Sequence, residues 1–423
     1  MKTYIRNSSF LLLGALPLLS YGEAITHIQL INNSGFDDQE VYFIATALDD
    51  KGQQCFIELL ENNSIDCEAV NASTDPSDYS YSFASVKDTS LKIPYISSGR
   101  MYISVGTPLV FYIDHTGTGI VHPNPLNPSD PNVKTYFDKI EFSHAENAFF
   151  INPTAVDFFG LSITIANPDA NPEGYKQVGL TQSFQEVFNN LINTITDESV
   201  TEQAEWQKLF VYYDNEKKQG LRIHSPGKAM IDNIFNRHYL DDEDVFGFNY
   251  IQFVWDHYKN FELLINNGTQ TFIGQVDKNN VFVFKDENRE EIIAEIEKPT
   301  DSLPFFAGAQ GTFAPDGNLH KDEIVRDLTS AFVVGFLPAP NEAILSEHYF
   351  KEHSDLYYTD NPILKAAGVT GGPWFDLYGK ALHANGDLIY SFAYDDRLGL
   401  DGTMTVLPDV TTPTTITVNN IIW

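Results

Sequence analysis

The chain has 423 residues, which is more than one hydrophobic core usually supports, so we expect two lobes. Apolar residues make up 43% of the sequence, a share that excludes a disordered chain. The formal net charge of -32 excludes nucleic acid and anionic membranes as partners and suits an uncharged ligand.

The first residues have the order of a secretion signal. Lys2 and Arg6 precede an apolar run over residues 10–19, and small residues follow up to Ala24. The run is too short to cross a bilayer, which takes about 20 apolar residues. We predict a signal peptide over residues 1–24 and a secreted, extracellular protein that begins near Ile25. An uncleaved N-terminal membrane anchor is the alternative.

Residues 25–166 have the pattern of a β domain. Runs rich in β-branched and aromatic residues, such as 26–31 and 100–105, alternate with clusters of Gly, Asn, Asp and Pro. This spacing is typical of a sandwich or barrel. Residues 115–132 are dense in turn formers and predict a long surface loop.

The two cysteines, Cys55 and Cys67, lie in this first segment. An oxidising compartment favours a short-loop disulfide between them over two free buried thiols. The histidines are scattered without a zinc motif, and the acidic run at 241–244 lacks the pattern of a calcium loop. We therefore expect neither a metal nor a cofactor.

Residues 167–376 predict a mixed α/β domain. Apolar residues follow helical spacing over 183–196, where Ser183 and Glu186 form a capping box. Further helices are predicted around 249–261 and 320–336. A hairpin is predicted over 270–284 with its turn at 277–280, and residues 290–297 are compatible with helix or strand.

Strand patterns return in residues 377–423, at 388–394 and 414–418. This segment is too short to bury a core alone, so we expect it to pair with the first lobe. The predicted architecture is mainly β: one β domain, built from 25–166 and 377–423, is interrupted by the mixed domain. A wide cleft is expected between them.

Two carboxylates stand out in the first segment. Alternation along the predicted strand 136–142 places Glu141 on the polar face together with Lys139. After the returning strand, Val156 and Phe158 are expected to face the core, which leaves Asp157 on the outer face. Glycoside hydrolysis needs such a pair, one carboxyl protonated and one ionised. On these residues alone, two ordinary surface carboxylates are the favoured alternative.

The block 136–142 followed by 149–160 resembles the catalytic stretch of glycoside hydrolase family 64. Residues 99–106, 311–314 and 378–383 are similar to other motifs of that family, and 390–396 resembles a block shared with thaumatin-like proteins. The resemblance implies a thaumatin-like β-barrel and an inverting endo-β-1,3-glucanase that cleaves linear glucans such as laminarin or curdlan to short oligosaccharides. It implies Glu141 as general acid and Asp157 as general base.

The same resemblance suggests a set of residues that bind the substrate: Ser143, Phe150, Asn152, Thr154, Trp374, Asp395 and Asp396. Core packing is an equal alternative for Phe150 and for Trp374. A structural role is the favoured alternative for Asp395 and Asp396, which would hydrogen-bond loop amides. The family's tryptophan in the strand after the acid is replaced here by Phe149 and Phe150, which affects subsite affinity more than reaction class.

The leading hypothesis is a monomeric enzyme without cofactor that acts on β-1,3-glucan polysaccharide. A non-catalytic thaumatin-like protein that binds β-glucan is the runner-up. An effector or inhibitor directed at another protein is a third reading that the fold permits.

Overall fold

The computed structural model describes residues 25–421 except 50, 62, 87–88, 198–199, 242, 244–247, 289–290, 370–371 and 385. The predicted signal peptide, residues 1–24, lies outside the described residues. Within these ranges, no helix combines the length and the apolar character needed to span a bilayer.

The strands follow one another along the chain as β1 (Thr26–Asn32), β2 (Val41–Leu48), β3 (Gln54–Leu59), β4 (Ile65–Ala69), β5 (Tyr81–Ser82), β6 (Leu91–Ile93), β7 (Ile96–Val105), β8 (Tyr112–Ile113), β9 (Ile120–Val121), β10 (Tyr136–Ala145), β11 (Ala148–Thr154), β12 (Phe158–Phe159), β13 (Ile163–Ala166), β14 (Gln177–Gly179), β15 (Phe210–Asp214), β16 (Gln219–His224), β17 (Leu263–Asn266), β18 (Thr271–Val276), β19 (Val281–Asp286), β20 (Ile292–Glu297), β21 (Ile344–Leu345), β22 (Met404–Val406) and β23 (Thr414–Val418). The helices are α1 (Phe184–Thr196), α2 (Gln203–Gln207), α3 (Pro226–Ile231), α4 (Tyr250–Tyr258), α5 (Leu303–Ala307), α6 (Leu319–Val333), α7 (Glu347–Glu352), α8 (Pro362–Ala366) and α9 (Leu377–Leu382).

Two sheets share the main core. An eight-stranded sheet has the order β22-β11-β10-β7-β2-β3-β4, with β5 beside β2, and a five-stranded sheet has the order β14-β13-β23-β1-β6. Ile28 and Ile416 of the smaller sheet and Phe43, Met101 and Ile140 of the larger one belong to a single cluster of buried side chains. Burial of this shared apolar face is the main force that holds the two sheets together.

The mixed segment forms a five-stranded sheet with the order β20-β19-β18-β17-β21, and its strands β15 and β16 join β12 of the first segment in a sheet with the order β12-β16-β15. The predicted capping box is present, since Ser183 and Glu186 bond each other's backbone at the start of α1. Helices α4 and α6 and the hairpin β18–β19 confirm the elements that the sequence pattern predicted in this segment. Residues 292–297, left open by the sequence, form strand β20.

The C-terminal strands pair with N-terminal ones. Strand β23 lies between β1 and β13, parallel to the first and antiparallel to the second. Strand β22 extends the larger sheet beside β11. The strand β14 joins the five-stranded sheet although it follows residue 166, and β12 pairs with β16 across that point. The domain boundaries at 166/167 and 376/377 stay a prediction.

The expected strand over residues 388–394 is wrong. Leu388 and Tyr390 form only isolated bridges, to Gly179 and Thr154, and the chain then turns into a 3-10 helix over Asp395–Leu398. The carboxylate of Asp395 accepts a hydrogen bond from the backbone of Ser391 at 2.8 Å, which closes the turn before a strand can continue.

The disulfide between Cys55 and Cys67 is present and joins β3 to β4, with the Cα atoms 5.4 Å apart. It confirms the pairing that the sequence favoured. Because β4 is the edge strand of the larger sheet, the bond fixes this edge to its neighbour.

Candidate active site

Strand β10 carries the candidate site on its polar face. Glu141 lies opposite Arg100 of β7 and Asn152 of β11, and Lys139 lies opposite Tyr102 and Thr154. Because side chains alternate along a strand, these residues share one face of the larger sheet. Ile140 and Phe142 point to the other face and are buried in the core, as predicted.

Each candidate catalytic carboxylate is paired with a cation. Arg100 Nε donates to Glu141 Oε1 at 3.0 Å, and Lys139 Nζ donates to Asp157 Oδ2 at 2.8 Å. The side chains of Glu141 and Asp157 are 12% and 43% exposed, whereas that of Lys139 is 4% exposed. The site therefore combines two carboxyl groups with two cationic side chains, and only the lysine is almost completely withdrawn from solvent.

Asp157 lies between β11 and β12, in a segment that is bonded to the core side of β10. The buried carboxylate of Asp138, on the core side of β10, accepts hydrogen bonds from the backbone of Gly160 at 2.8 Å and Leu161 at 3.1 Å. A β-carbon on Gly160 would lie 2.2 Å from the carbonyl oxygen of Phe137, so only glycine permits this approach. The backbone of Ser225 donates to the carbonyl of Asp157 at 3.1 Å.

The neighbours of Asp157 only partly match the expectation. Phe158 is 2% exposed and faces the interior, as predicted. Val156, which we expected in the core, is only partly buried. The chain leaves strand geometry between β11 and β12, so the alternation used for that prediction does not extend across these residues.

Positive charge surrounds Asp157. Desolvation alone would raise the pKa of Asp157, but the charges of Lys139, Lys228 and Arg100 outweigh it and hold this pKa well below its ordinary value. Burial would lower the pKa of Lys139, yet Asp157 keeps it above its ordinary value. The pair is therefore ionised near neutral pH.

A buried tyrosine and a partly buried histidine lie beside these charges. The hydroxyl of Tyr102 and Nδ1 of His122 are 3.1 Å apart and share a hydrogen bond. Burial lowers the pKa of His122 to about 3, and Arg100 and Lys139 act in the same direction, so this imidazole is neutral. The ring thus adds no further positive charge to the site.

Three of the predicted substrate residues lie on the same face as Glu141. Ser143, Asn152 and Phe150 are each partly exposed, and Ser143 lies directly opposite Phe150. Thr154 shares their face but is only 2% exposed, and its role as a sugar contact stays a prediction. Tyr390 forms an isolated backbone bridge to Thr154.

Trp374 and Asp395 are buried side chains with partners inside the protein. Trp374 is 6% exposed and packs against Tyr250 and Phe248, with ring centroids 6.0 and 5.4 Å away. Asp395 is fully buried and accepts hydrogen bonds from the backbone and hydroxyl of Ser391. These contacts favour the alternatives that the sequence left open, packing for Trp374 and hydrogen bonds to a loop for Asp395, and the substrate-binding roles of both stay predictions.

Asp396 remains partly exposed, unlike its neighbour Asp395. Burial, and then the charge of Asp401, raise the pKa of Asp396 to about 6. Burial raises the pKa of Tyr390, and the negative charges of Asp396 and Glu141 raise it further. Tyr390 is thus within electrostatic reach of both carboxylates.

The sequence missed Arg100, Tyr102, His122 and Lys228 as parts of the site. Alternation along the strand placed Lys139 on the same face as Glu141, but the sequence did not predict that Lys139 pairs with Asp157. Across the described ranges, no three His, Cys, Asp or Glu side chains are placed to hold a metal ion.

Glu141 on the polar face of β10 and Asp157, bonded to that face through Lys139, are two carboxylates of the kind that a glycoside hydrolase needs. A family model described as "Beta-1,3-glucanase", glycoside hydrolase family 64, matches residues 24–418. The chain belongs to this family.

Curated relatives include proteins named glucan endo-1,3-beta-glucosidase from Arthrobacter sp. (strain YCWD3) and from Cellulosimicrobium cellulans. Each is 24% identical over 319 residues, which are 73% of this chain and 50% of the relative. The chain thus spans about half the length of these relatives.

Solved structures of the family have a similar fold. A β-1,3-glucanase domain from Clostridium beijerinckii has a TM-score of 0.70 and 23% identity, and the match covers 96% of this chain and 100% of that chain. A laminaripentaose-producing β-1,3-glucanase in complex with laminaritetraose has a TM-score of 0.69 and 21% identity, with 94% of this chain and 99% of that chain covered. At these identities the similarity establishes the fold.

Proposed function

We propose that the chain is a secreted endo-β-1,3-glucanase that hydrolyses linear β-1,3-glucan to short oligosaccharides with inversion of configuration. The observation that carries the proposal is the arrangement of Glu141 and Asp157, which bond Arg100 and Lys139 from the polar face of the larger sheet. Family membership and the laminaritetraose bound by a structural neighbour support β-1,3-glucan as the substrate. We further propose a thaumatin-like fold with a substrate cleft between two lobes, a monomeric state, and removal of residues 1–24 on export.

In the proposed mechanism Glu141 is the general acid. Arg100 occupies Oε1, so Oε2 is the oxygen that carries the proton for the departing glycosidic oxygen. Its lower exposure, 12%, suits a group that contacts the sugar rather than bulk water. Ser143, Asn152 and Phe150 line the same face and would bind neighbouring sugar units.

Asp157 is the proposed general base. It stays ionised beside Lys139 and is the more exposed of the two, so it can take a proton from a water that attacks the anomeric carbon. An inverting pair must leave space for this water, and we expect the two carboxyl groups about 6.5–9.5 Å apart.

The test is incubation of the protein with a linear β-1,3-glucan, followed by mass analysis of the soluble products. We expect a ladder of short oligosaccharides, and no products from a β-1,4-glucan of similar length. A protein that is retained on insoluble β-1,3-glucan but releases no product would instead be the non-catalytic binder.

A further inference from the structure

Lys139 carries a charge that is almost completely withdrawn from water. Its side chain is 4% exposed, and a buried ammonium is costly unless it is paired. Its ammonium contacts Asp157 Oδ2 at 2.8 Å and lies 5.2 Å from the centroid of the Phe158 ring. Lys139 thus contacts two consecutive residues of the segment that follows β11.

The neighbouring residue of β10 holds the same segment from the opposite face of the sheet. Asp138 Oδ2 accepts from the backbone of Gly160 and Leu161, and Asp138 Oδ1 accepts from the backbone of Lys139 at 2.8 Å. Two adjacent residues of one strand therefore fix residues 157–161 on the polar side and on the core side. The Asp138 bonds fix the backbone of this segment, and the Lys139 bond restricts the rotation of the Asp157 carboxylate.

The two oxygens of Asp157 have different surroundings. Oδ2 accepts the bond from Lys139, whereas none of the described residues donates a hydrogen bond to Oδ1. The side chain is 43% exposed, so solvent reaches it. A general base needs one oxygen held in place and one free for water.

We propose that Lys139 is a positioning residue: it fixes Asp157 through Oδ2 and directs Oδ1 at the attacking water. This inference rests on the proposed function, in which Asp157 is the base. Lys139 touches neither sugar nor water in this account and acts only through the carboxylate that it orients.

Lys139 also supplies much of the charge that Asp157 senses. Six titratable groups interact electrostatically with Asp157. They are Arg100 and Tyr102 of β7, His122 of the loop before β10, Lys139 of β10, Lys228 of α3 and Tyr378 of α9. Among the groups that lower the pKa of Asp157, Lys139 contributes most, ahead of Lys228. Without it, desolvation is opposed by Lys228 and Arg100 alone, so this pKa rises.

The experiment compares wild type with Lys139→Met, Lys139→Gln and Lys139→Arg, with Lys217→Met at an 80%-exposed lysine as control. The pH profiles of kcat and KM are measured on a soluble linear β-1,3-glucan, and melting curves show which variants fold. For Lys139→Met we expect kcat to fall at least about 10-fold, with KM changed less than about threefold. The acid limb of the kcat profile of this variant should move to higher pH by about one unit or more. Lys139→Arg should keep the wild-type acid limb and recover part of kcat.

A lowered kcat without displacement of the acid limb would make Lys139 merely structural and overturn the inference, as would wild-type behaviour of Lys139→Met. If that variant does not fold, Lys139→Gln, which can still donate to Oδ2, must show the same displacement. If neither neutral variant folds, Lys139→Arg decides, and a displaced acid limb there contradicts the inference. A wild-type protein that releases no product defeats the proposed function instead, before any variant is compared.

Discussion

The two proposed catalytic carboxylates differ in their access to solvent. Glu141 is 12% exposed and Asp157 43% exposed, although each carboxyl lies against a cation. The less exposed group suits proton donation to a bound sugar, and the more exposed one suits activation of a water. This division at the scale of single residues gives each carboxylate a separate test.

Glu141→Gln removes the proton donor and Asp157→Asn removes the base, each with little change in shape. Each should lower turnover at least about 100-fold, the usual scale for loss of a general acid or base, while glucan binding is largely kept. Turnover is measured by reducing-end release, with Glu146→Gln, at an exposed position in the β10–β11 turn, as control. Near-normal turnover in either catalytic variant would remove that residue from the mechanism.

Asp157→Asn also leaves the buried Lys139 ammonium without its carboxylate. Because breaking a buried ion pair from one side is strongly destabilising, this variant should melt below Glu141→Gln. Turnover is therefore compared at a temperature well below both transitions.

For single residues, the sequence correctly predicted which side chains share a face of one strand. Glu141 and Lys139 share a face, as expected from the pattern of residues 136–142. The partner Arg100 is 41 residues away, and its position opposite Glu141 depends on a strand register that no local pattern specifies. The burial of Thr154 and Trp374 could not be predicted, because it is set by tertiary neighbours that the sequence does not reveal.

Among the structural elements, the segment between β11 and β12 matters most for the site. It holds Asp157 and is anchored by Asp138 and by the close contact of Gly160 with Phe137. Any displacement of this segment moves the proposed base relative to Glu141.

Gly160→Ala tests this anchoring, since its β-carbon would lie 2.2 Å from a carbonyl oxygen and the segment must shift. We expect destabilisation by about 1–3 kcal/mol, the scale of overpacking, together with a loss of kcat. Chemical denaturation and glucan hydrolysis measure the two effects. The control is Gly174→Ala, where the added carbon meets nothing closer than 3.6 Å. Stability and turnover equal to wild type in Gly160→Ala would mean that the segment is not held as described.

Elements with a strong period were predictable and irregular ones were not. Helix α1 and the hairpin β18–β19 follow their apolar patterns closely. Residues 388–394 have the composition of a strand, but Tyr394 adopts a φ of +72° and Asp395 bonds back to Ser391. Side-chain bonds to the backbone thus override the propensity of this run.

In the whole molecule, the first and last strands of the described chain meet in one sheet, because β23 pairs with β1. Only the length of the C-terminal segment predicts this pairing, since residues 377–423 are too few to bury a core of their own. The order of strands and the parallel direction of β23 and β1 have no local signal, so the topology itself could not be predicted.

The pH dependence of global stability tests the burial around the site. His224 lies opposite Phe158, is 5% exposed, and neither of its ring nitrogens has a hydrogen-bond partner among the described residues. Burial, and then the charge of Arg222, lower the pKa of His224 to about 3. Because the unfolded value is about 6.5, the stability tied to the neutral ring is fully present above that pH and is lost as the pH falls towards 3.

Between pH 7 and pH 5 this group should cost wild type about 2 kcal/mol of unfolding free energy, a loss that His224→Phe does not share. Denaturant titrations of both proteins at the two pH values measure the difference. The same substitution at His348, whose side chain is 82% exposed, is the control. Equal pH dependence in wild type and His224→Phe would show that the ring is not kept neutral by burial.

We propose that this chain cleaves β-1,3-glucan with inversion through Glu141 and Asp157. Proton NMR during hydrolysis of a linear β-1,3-glucan, recorded before mutarotation, identifies the anomer that is released first. A single displacement by water on the face opposite the leaving group forms the new reducing end as the α anomer. The account predicts α-anomer signals first and β-anomer signals only later. A β anomer formed first, or no new reducing ends, would contradict it.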